Sequence, residues 1–202
     1  MKGYDSMNKD KLSKLALIAS LAVLALNGCT ALVVGGVAAG ATSGAAVASD
    51  PRSSDGVFDD QSLRGKVADI INATIPGNNV EVTSYDKNIL LTGQILTNDN
   101  KLKAEQMAHQ VPGVNKIYNY IEIGASQSAS QTSKDSYLTS AIKSNMLFSK
   151  GVSSNDVKVV TSNSTVYLMG MIDPYQANKM TKVAREVDGV KKVVTLFELP
   201  PK

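Results

Sequence analysis

One cysteine, one histidine and no tryptophan among 202 residues remove much chemistry at the outset. Cys29 has no second thiol with which to close an intramolecular disulfide. A nitrogen–sulfur metal site needs three or four His and Cys ligands, and His109 and Cys29 cannot supply them. No glycine-rich phosphate loop follows a β-like run. Asp59 and Asp60 are paired carboxylates, but they stand before an amphipathic run, where capping a helix and favouring its dipole is the simpler role. Composition leaves serine–lysine catalysis open, yet no residue pattern points to it. No catalytic residue, no metal site and no small-molecule substrate are expected.

An export signal accounts for the lone cysteine. Lys9, Lys11 and Lys14 form a basic head, with Met7 a plausible start, and residues 15–26 form an uncharged apolar run of signal-peptide length. The run is short for a membrane span. It ends in Leu26-Asn27-Gly28-Cys29, which resembles a lipobox, with Asn27 a less usual residue at its position. That resemblance implies cleavage after Gly28 and an N-acyl diacylglycerol on Cys29, with no other cofactor. The alternative, a buried free thiol, would leave a lone reactive group in an oxidising compartment. One acyl chain binds membranes marginally and two give stable anchoring; bacterial lipoproteins carry three.

Removing the leader changes the charge. The whole chain has 21 basic and 18 acidic residues, of which 4 and 2 precede Cys29, so the mature chain carries 17 against 16, or +1. No general nucleic-acid footprint remains. Residues 29–56 read as a lipidated tether. Their Gly- and Ala-rich stretch, 31–48, suits a flexible tether better than close helix packing in a bilayer, because it offers little hydrophobicity. Residues 50–56 then read as a turn and linker.

The rest repeats. Val80-Glu81-Val82 matches Val157-Lys158-Val159, and Ile89-Leu90-Leu91-Thr92-Gly93 matches Val166-Tyr167-Leu168-Met169-Gly170, both at a shift of 77. Val111-Pro112-Gly113-Val114 matches Val187-Asp188-Gly189-Val190 at a shift of 76, the change falling in the turn 97–100. Leu63, Val67 and Ile71 match Leu138, Ile142 and Met146, one apolar stripe of a helix in each copy. Two β-rich runs joined by polar turns at 84–87 and 162–164 predict hairpins. Ala104, Met107, Ala108 and Val111, matched by Met180, Val183, Ala184 and Val187, predict a second helix, with Gly113 and Gly189 at its left-handed cap. Final strands at 117–123 and 193–199 complete an αββαβ order. His109 lies on the second helix opposite Arg185 of the other copy, a solvated position.

The fold class is therefore α+β: two tandem αββαβ units, each a three-stranded mixed sheet with two helices on one face. The predicted boundaries are signal peptide 1–28, tether 29–56, first domain 57–124, linker 125–133 and second domain 134–202. The repeated hydrophobic–Gly close of the hairpin, with the V-x-G-V-x-x-V/I run after it, resembles the BON domain. Two such domains behind a lipobox resemble the dual-BON outer-membrane lipoproteins. The resemblance implies the inner leaflet of the outer membrane, support of envelope integrity, and anionic phospholipid bound through the second domain.

The copies differ where a site would lie. Residues 57–124 hold 6 basic and 8 acidic residues, or −2, whereas 134–202 hold 10 and 6, or +4, which favours an anionic surface. At about 100° per residue, Tyr137, Ala141, Ser144 and Phe148 form a strip beside the core face of their helix, and Leu147 points away from it. Their counterparts are Ser62, Lys66, Asp69 and Ala73, with Asn72 for Leu147. Lys143 and Lys150 lie on the other flank, so the helix has the rings and cations of an interfacial helix. The resemblance implies an aromatic at Tyr137 and a basic residue at Lys143; it also implies Trp at 137 and a basic residue at 141, from which this chain departs. The predicted phospholipid-binding set is Tyr137, Ala141, Lys143, Leu147, Phe148 and Lys150. Two alternatives stand: Tyr137 and Phe148 pack against the first domain, or the protein is an adaptor for outer-membrane protein assembly that binds strands at a sheet edge.

Overall fold

The computed structural model describes residues 54–149 and 154–200. The segments expected to be signal peptide and tether, apart from residues 54–56, lie outside the described residues, as do Cys29 and Lys150. In chain order the elements are α1 (Ser54–Thr74), β1 (Asn79–Tyr85), β2 (Asn88–Ile95), α2 (Asn98–His109), β3 (Lys116–Asn119), β4 (Glu122–Ile123), α3 (Ala129–Leu147), a 3-10 turn (Ser154–Asp156), β5 (Val157–Ser162), β6 (Thr165–Met171), α4 (Pro174–Arg185) and β7 (Lys192–Glu198).

The αββαβ order occurs twice. β1 pairs antiparallel with β2, which runs parallel to β3 and β4; β5 pairs antiparallel with β6, which runs parallel to β7. The first sheet's third strand is broken at residues 120–121, where the Asn119 side chain accepts the Ile121 N–H at 3.2 Å in place of a ladder partner. The predicted stripes are the cores. Leu63, Val67 and Ile71 pack with Ala104, Ala108 and Val111 over the first sheet; Leu138, Ile142 and Met146 pack with Met180, Ala184 and Val187 over the second. His109 is exposed.

The hairpin registers explain Gly93 and Gly170. Gly93 faces Val80 at φ +94, and a Cβ there would overlap the Asn79 carbonyl oxygen. Gly170 faces Val157, and a Cβ would come 2.5 Å from the Asp156 carbonyl oxygen. Gly113 and Gly189 are left-handed as expected, at φ +93 and +97, but they do not cap the helices. Each is the third residue of a turn one step further on, closed by Val114 N–H to the Val111 carbonyl and Val190 N–H to the Val187 carbonyl; a type II turn needs that conformation.

Two boundaries differ from the sequence reading, the starts of α1 and of α3. Ser54 to Gly56, read as turn, already belong to α1. Asp59 and Asp60 are inside that helix and do not cap it. Asp60 instead reaches the β1–β2 turn, accepting from Ser84 Oγ at 2.7 Å and from the N–H groups of Asp86 and Lys87 at 2.8 Å each. Asp135 repeats the arrangement, accepting from the Asn163 and Ser164 N–H groups at 2.8 Å. Both turns carry two residues at positive φ, Asp86 and Lys87 or Asn163 and Ser164, and a buried carboxylate that gathers their N–H groups holds that conformation. The polar stretch read as a linker is helical from Ala129, because Ser128 caps α3 by accepting the Gln131 N–H at 3.2 Å.

The two sheets pack against each other through the faces not covered by helices. Tyr85, Leu90, Tyr167, Met169 and Leu196 form a third buried cluster there. The contact is reciprocal. Asn88, beside the first turn, donates to Glu198 at the end of β7 at 3.1 Å, and Asn163, in the second turn, donates to Glu122 in β4 at 2.9 Å. Each domain therefore sets its hairpin turn against the far end of the other's sheet.

Candidate functional site

Helix α3 is built around Asp135, Leu138, Ile142 and Met146, all buried. Spacings of three and four residues put them on one stripe. Its Thr139 hydroxyl bonds the Thr161 hydroxyl of β5 at 2.8 Å, fixing one flank over the edge of the sheet. Ser136 and Ser140 on the outer side bond carbonyls one turn back, at 3.0 and 2.9 Å.

The remaining faces hold the predicted set. Tyr137 is 67% exposed, Leu147 67% and Phe148 84%. Ala141 is half-buried and rests on the domain core, and Lys143 is exposed. Lys150 lies outside the described residues. The packing of Tyr137 and Phe148 against the first domain, weighed above, does not occur: the domains meet through their sheets, on the side away from α3. The structure thus places Tyr137, Ala141, Lys143, Leu147 and Phe148 on one solvent-facing helix. The matching positions on α1 are exposed too, but polar or small: Ser62, Lys66, Asp69, Asn72 and Ala73.

Two ionisable groups among the described residues are perturbed, and one of them, Tyr167, lies in the interdomain layer. The Tyr167 phenol is pushed up to about 12, mainly by burial and further by Glu122 and Tyr120; its ring lies 5.0 Å from that of Tyr120. Lys116 is held above its ordinary value by the neighbouring Tyr118, over whose ring its ammonium sits at 4.8 Å. The packing of the sheets explains Tyr167, whereas Lys116 is exposed and answers to its neighbour two residues along the same strand. Among the described residues no three His, Cys, Asp or Glu side chains are placed to hold a metal, and no helix is long and apolar enough to cross a membrane.

Sequence reasoning missed the Asp60 and Asp135 pair, although the two match at the shift of 75 that aligns the first helices. It also missed the exposed rings of Phe58 and Tyr175, 63% and 72% exposed, which stand on α1 and α4.

Comparison with known proteins agrees with this architecture. The BON domain family matches the chain twice, over residues 59–125 and 134–201. The outer membrane lipoprotein DolP of Haemophilus influenzae is 38% identical over 195 residues, covering 95% of this chain and 98% of that protein. The 21 kDa hemolysin of Actinobacillus pleuropneumoniae is 37% identical, covering 73% of this chain and 78% of that protein. The osmotically-inducible protein Y of Escherichia coli is 28% identical, covering 67% and 70%. With its sheets and helices repeated in tandem and both copies matched, the chain belongs to the BON-domain family and is an outer-membrane lipoprotein of the dual-BON, DolP-like type.

Proposed function

We propose that the protein is a non-catalytic binding protein, lipidated on Cys29, whose second domain docks on anionic phospholipid through α3 and thereby supports envelope integrity. The observation that carries this reading is the exposure of Tyr137, Leu147 and Phe148 on faces of α3 that no other described residue buries. Burying an aromatic side chain contributes about 1.5–3 kcal/mol, and each nearby lysine about 1 kcal/mol at an anionic surface. Two rings with Lys143 and Lys150 then give several kcal/mol before the entropic cost of docking. An anchored domain sits at high local concentration beside the bilayer, so weak affinity is enough.

The adaptor reading asks for an edge strand flanked by apolar residues. The groove along the edge strands β1 and β5 has a mixed lining, with Glu81, Gln127, Thr132, Ser136 and Thr139 beside Val159 and Val160; none of its apolar side chains is as exposed as Tyr137, Leu147 or Phe148 on α3, which favours the membrane reading. In the test, the unacylated mature chain is mixed with anionic and with neutral vesicles. Tyr137→Ser combined with Phe148→Ser is expected to abolish sedimentation with anionic vesicles and to leave the melting temperature unchanged. Retained binding by this double variant would refute the role of α3.

A further inference from the structure

The outer strands of the two sheets are built differently. In the first domain the strand beside β2 is cut into β3, of 4 residues, and β4, of 2, by the break where Asn119 takes the Ile121 N–H. In the second, β7 is the end strand of its sheet and runs unbroken for 7 residues, with no proline and a continuous register on β6. A regular end strand with apolar side chains is a template for another strand unless something blunts it.

The hydrogen bonds show which backbone groups β7 leaves open. Residues of a strand alternate between bonding one neighbour and pointing away from it. The Ile172 N–H bonds the Glu198 carbonyl at 3.0 Å, so Glu198 turns its backbone to β6, and Leu196, Val194 and Lys192 do the same. Val193, Thr195 and Phe197 turn theirs outward, and no other described residue takes them. The Thr195 side chain is exposed, whereas Val193 and Phe197 rest on the domain core.

An antiparallel partner must set outward groups against outward groups. A second copy of β7 centred on Thr195 does so along its whole length: Thr195 faces Thr195, Val193 faces Phe197, and Lys192 faces Glu198 at both ends. Each outward pair exchanges two N–H···O bonds, and the lysine–glutamate pairs fall at the positions where side chains come closest. Centring on Val194 or Leu196 instead would set Lys192 against Leu196 or Pro200. A lysine on an end strand ordinarily repels a neighbour; here each meets an acid across the axis. Asn88 occupies one oxygen of Glu198 at 3.1 Å and leaves the other for that lysine.

We infer that two copies of this protein join by antiparallel pairing of β7 with β7, which makes one continuous sheet of their second domains. The contact is isologous, with its twofold axis at Thr195. Seven residues at about 3.3 Å each give a seam roughly 23 Å long and one strand wide, less than the roughly 1,200 Å² that holds a stable soluble complex. The pair therefore forms between membrane-anchored chains, whose confinement raises their effective concentration. It does not compete with α3, which is fixed over β5, the opposite end strand, through Thr139 and Thr161.

Thr195→Cys puts a thiol on the axis, about 5.5 Å between Cα atoms from its own copy, a distance that a disulfide spans. Cys29 is the one native cysteine, so the parent chain is the blank. The full lipoprotein is reconstituted into vesicles of phosphatidylethanolamine with one quarter phosphatidylglycerol and oxidised with copper phenanthroline, beside Leu102→Cys at an exposed position on α2. Thr195→Cys is expected to give covalent dimer at least about tenfold faster than Leu102→Cys. Adding Lys192→Glu sets like charges together at both ends and should slow it at least about threefold, and Glu198→Lys added to that should restore it. Circular dichroism and melting confirm that each variant folds. Equal rates at 195 and 102 would overturn the pairing, and fast cross-linking indifferent to the charge reversal would overturn the register. Replacing Thr195 by a photoreactive benzoylphenylalanine in intact envelopes tests the partner: adducts with other proteins and none with a second copy would overturn self-pairing.

Discussion

Replacing Asp135 by alanine removes the acceptor of the second hairpin turn. The carboxylate takes the Asn163 N–H, the Ser164 N–H and the Gln131 amide, each at 2.8 Å. Asn163 is partly exposed and water can replace its partner, but Ser164 is fully buried and its N–H is stranded. A hydrogen bond to a charged group contributes about 1.5–3 kcal/mol, and a stranded buried donor costs about 1–3. Allowing for water at the exposed position, the loss should be about 3 kcal/mol from a total in the range of roughly 5–15. For a folded part of this size that lowers the melting temperature by roughly 6–12 °C. Asp135→Asn keeps the shape but offers one acceptor and turns an amide N–H toward the other donor, so it should fall between alanine and the parent. Asp60→Ala should reproduce the loss in the first domain. Urea and thermal unfolding followed by circular dichroism measure all three. If Asp135→Ala melts within about 2 °C of the parent, less than the shift for 1 kcal/mol, the carboxylate does not hold the turn and the argument from the repeated geometry fails.

Gly93→Ala should cost more than Gly170→Ala, because the first combines positive φ with an overlap on the Asn79 carbonyl and the second meets only the Asp156 carbonyl; urea midpoints rank them, and equal midpoints would contradict the geometry. Tyr167 has a folded value of about 12, above the usual value of about 10. Its contribution is therefore complete below about pH 10 and is lost as pH rises toward the folded value. Unfolding free energies between pH 9 and 12 should decline less in Tyr167→Phe than in the parent, and parallel curves would show that this phenol is not responsible. Cys29→Ser should give a chain that keeps its leader and carries no acyl groups, read by mass spectrometry of the intact protein; an acylated product would place the anchor elsewhere.

The cores and registers were legible because burial on one face imposes a period. Leu63, Val67 and Ile71 and their counterparts announce a helix stripe, and a repeated hairpin register locates Gly93 and Gly170 without coordinates. The sheet-to-sheet contact was harder to read. Buried on both faces, β2 shows no alternation, and the run Ile89-Leu90-Leu91 says only that a strand is covered twice. What covers it depends on residues 77 positions away. The assignment of Asp59 and Asp60 to a cap failed for a similar reason: a carboxylate near a helix start satisfies local rules, while its partners at Ser84, Asp86 and Lys87 lie across a hairpin. Among the candidate site residues, Tyr137 and Phe148 were found by comparing the copies. Their exposure followed only once the sheets were seen to occupy the interdomain contact. Phe58 and Tyr175 were missed because each is a single ring on an otherwise ordinary helix, and only the folded structure shows that it is left exposed.

The reciprocal packing of the two sheets has a consequence for dilution. Two separate chains joined through such a face would come apart as their concentration fell, whereas two copies on one polypeptide meet at an effective concentration set by the short connector between Ile123 and Ala129. The pair therefore stays closed however few molecules the membrane holds. Covalent joining also releases the copies from having to be identical, as a symmetric dimer of one sequence must be. One half is then free to become acidic, and the other to gather lysines and exposed rings.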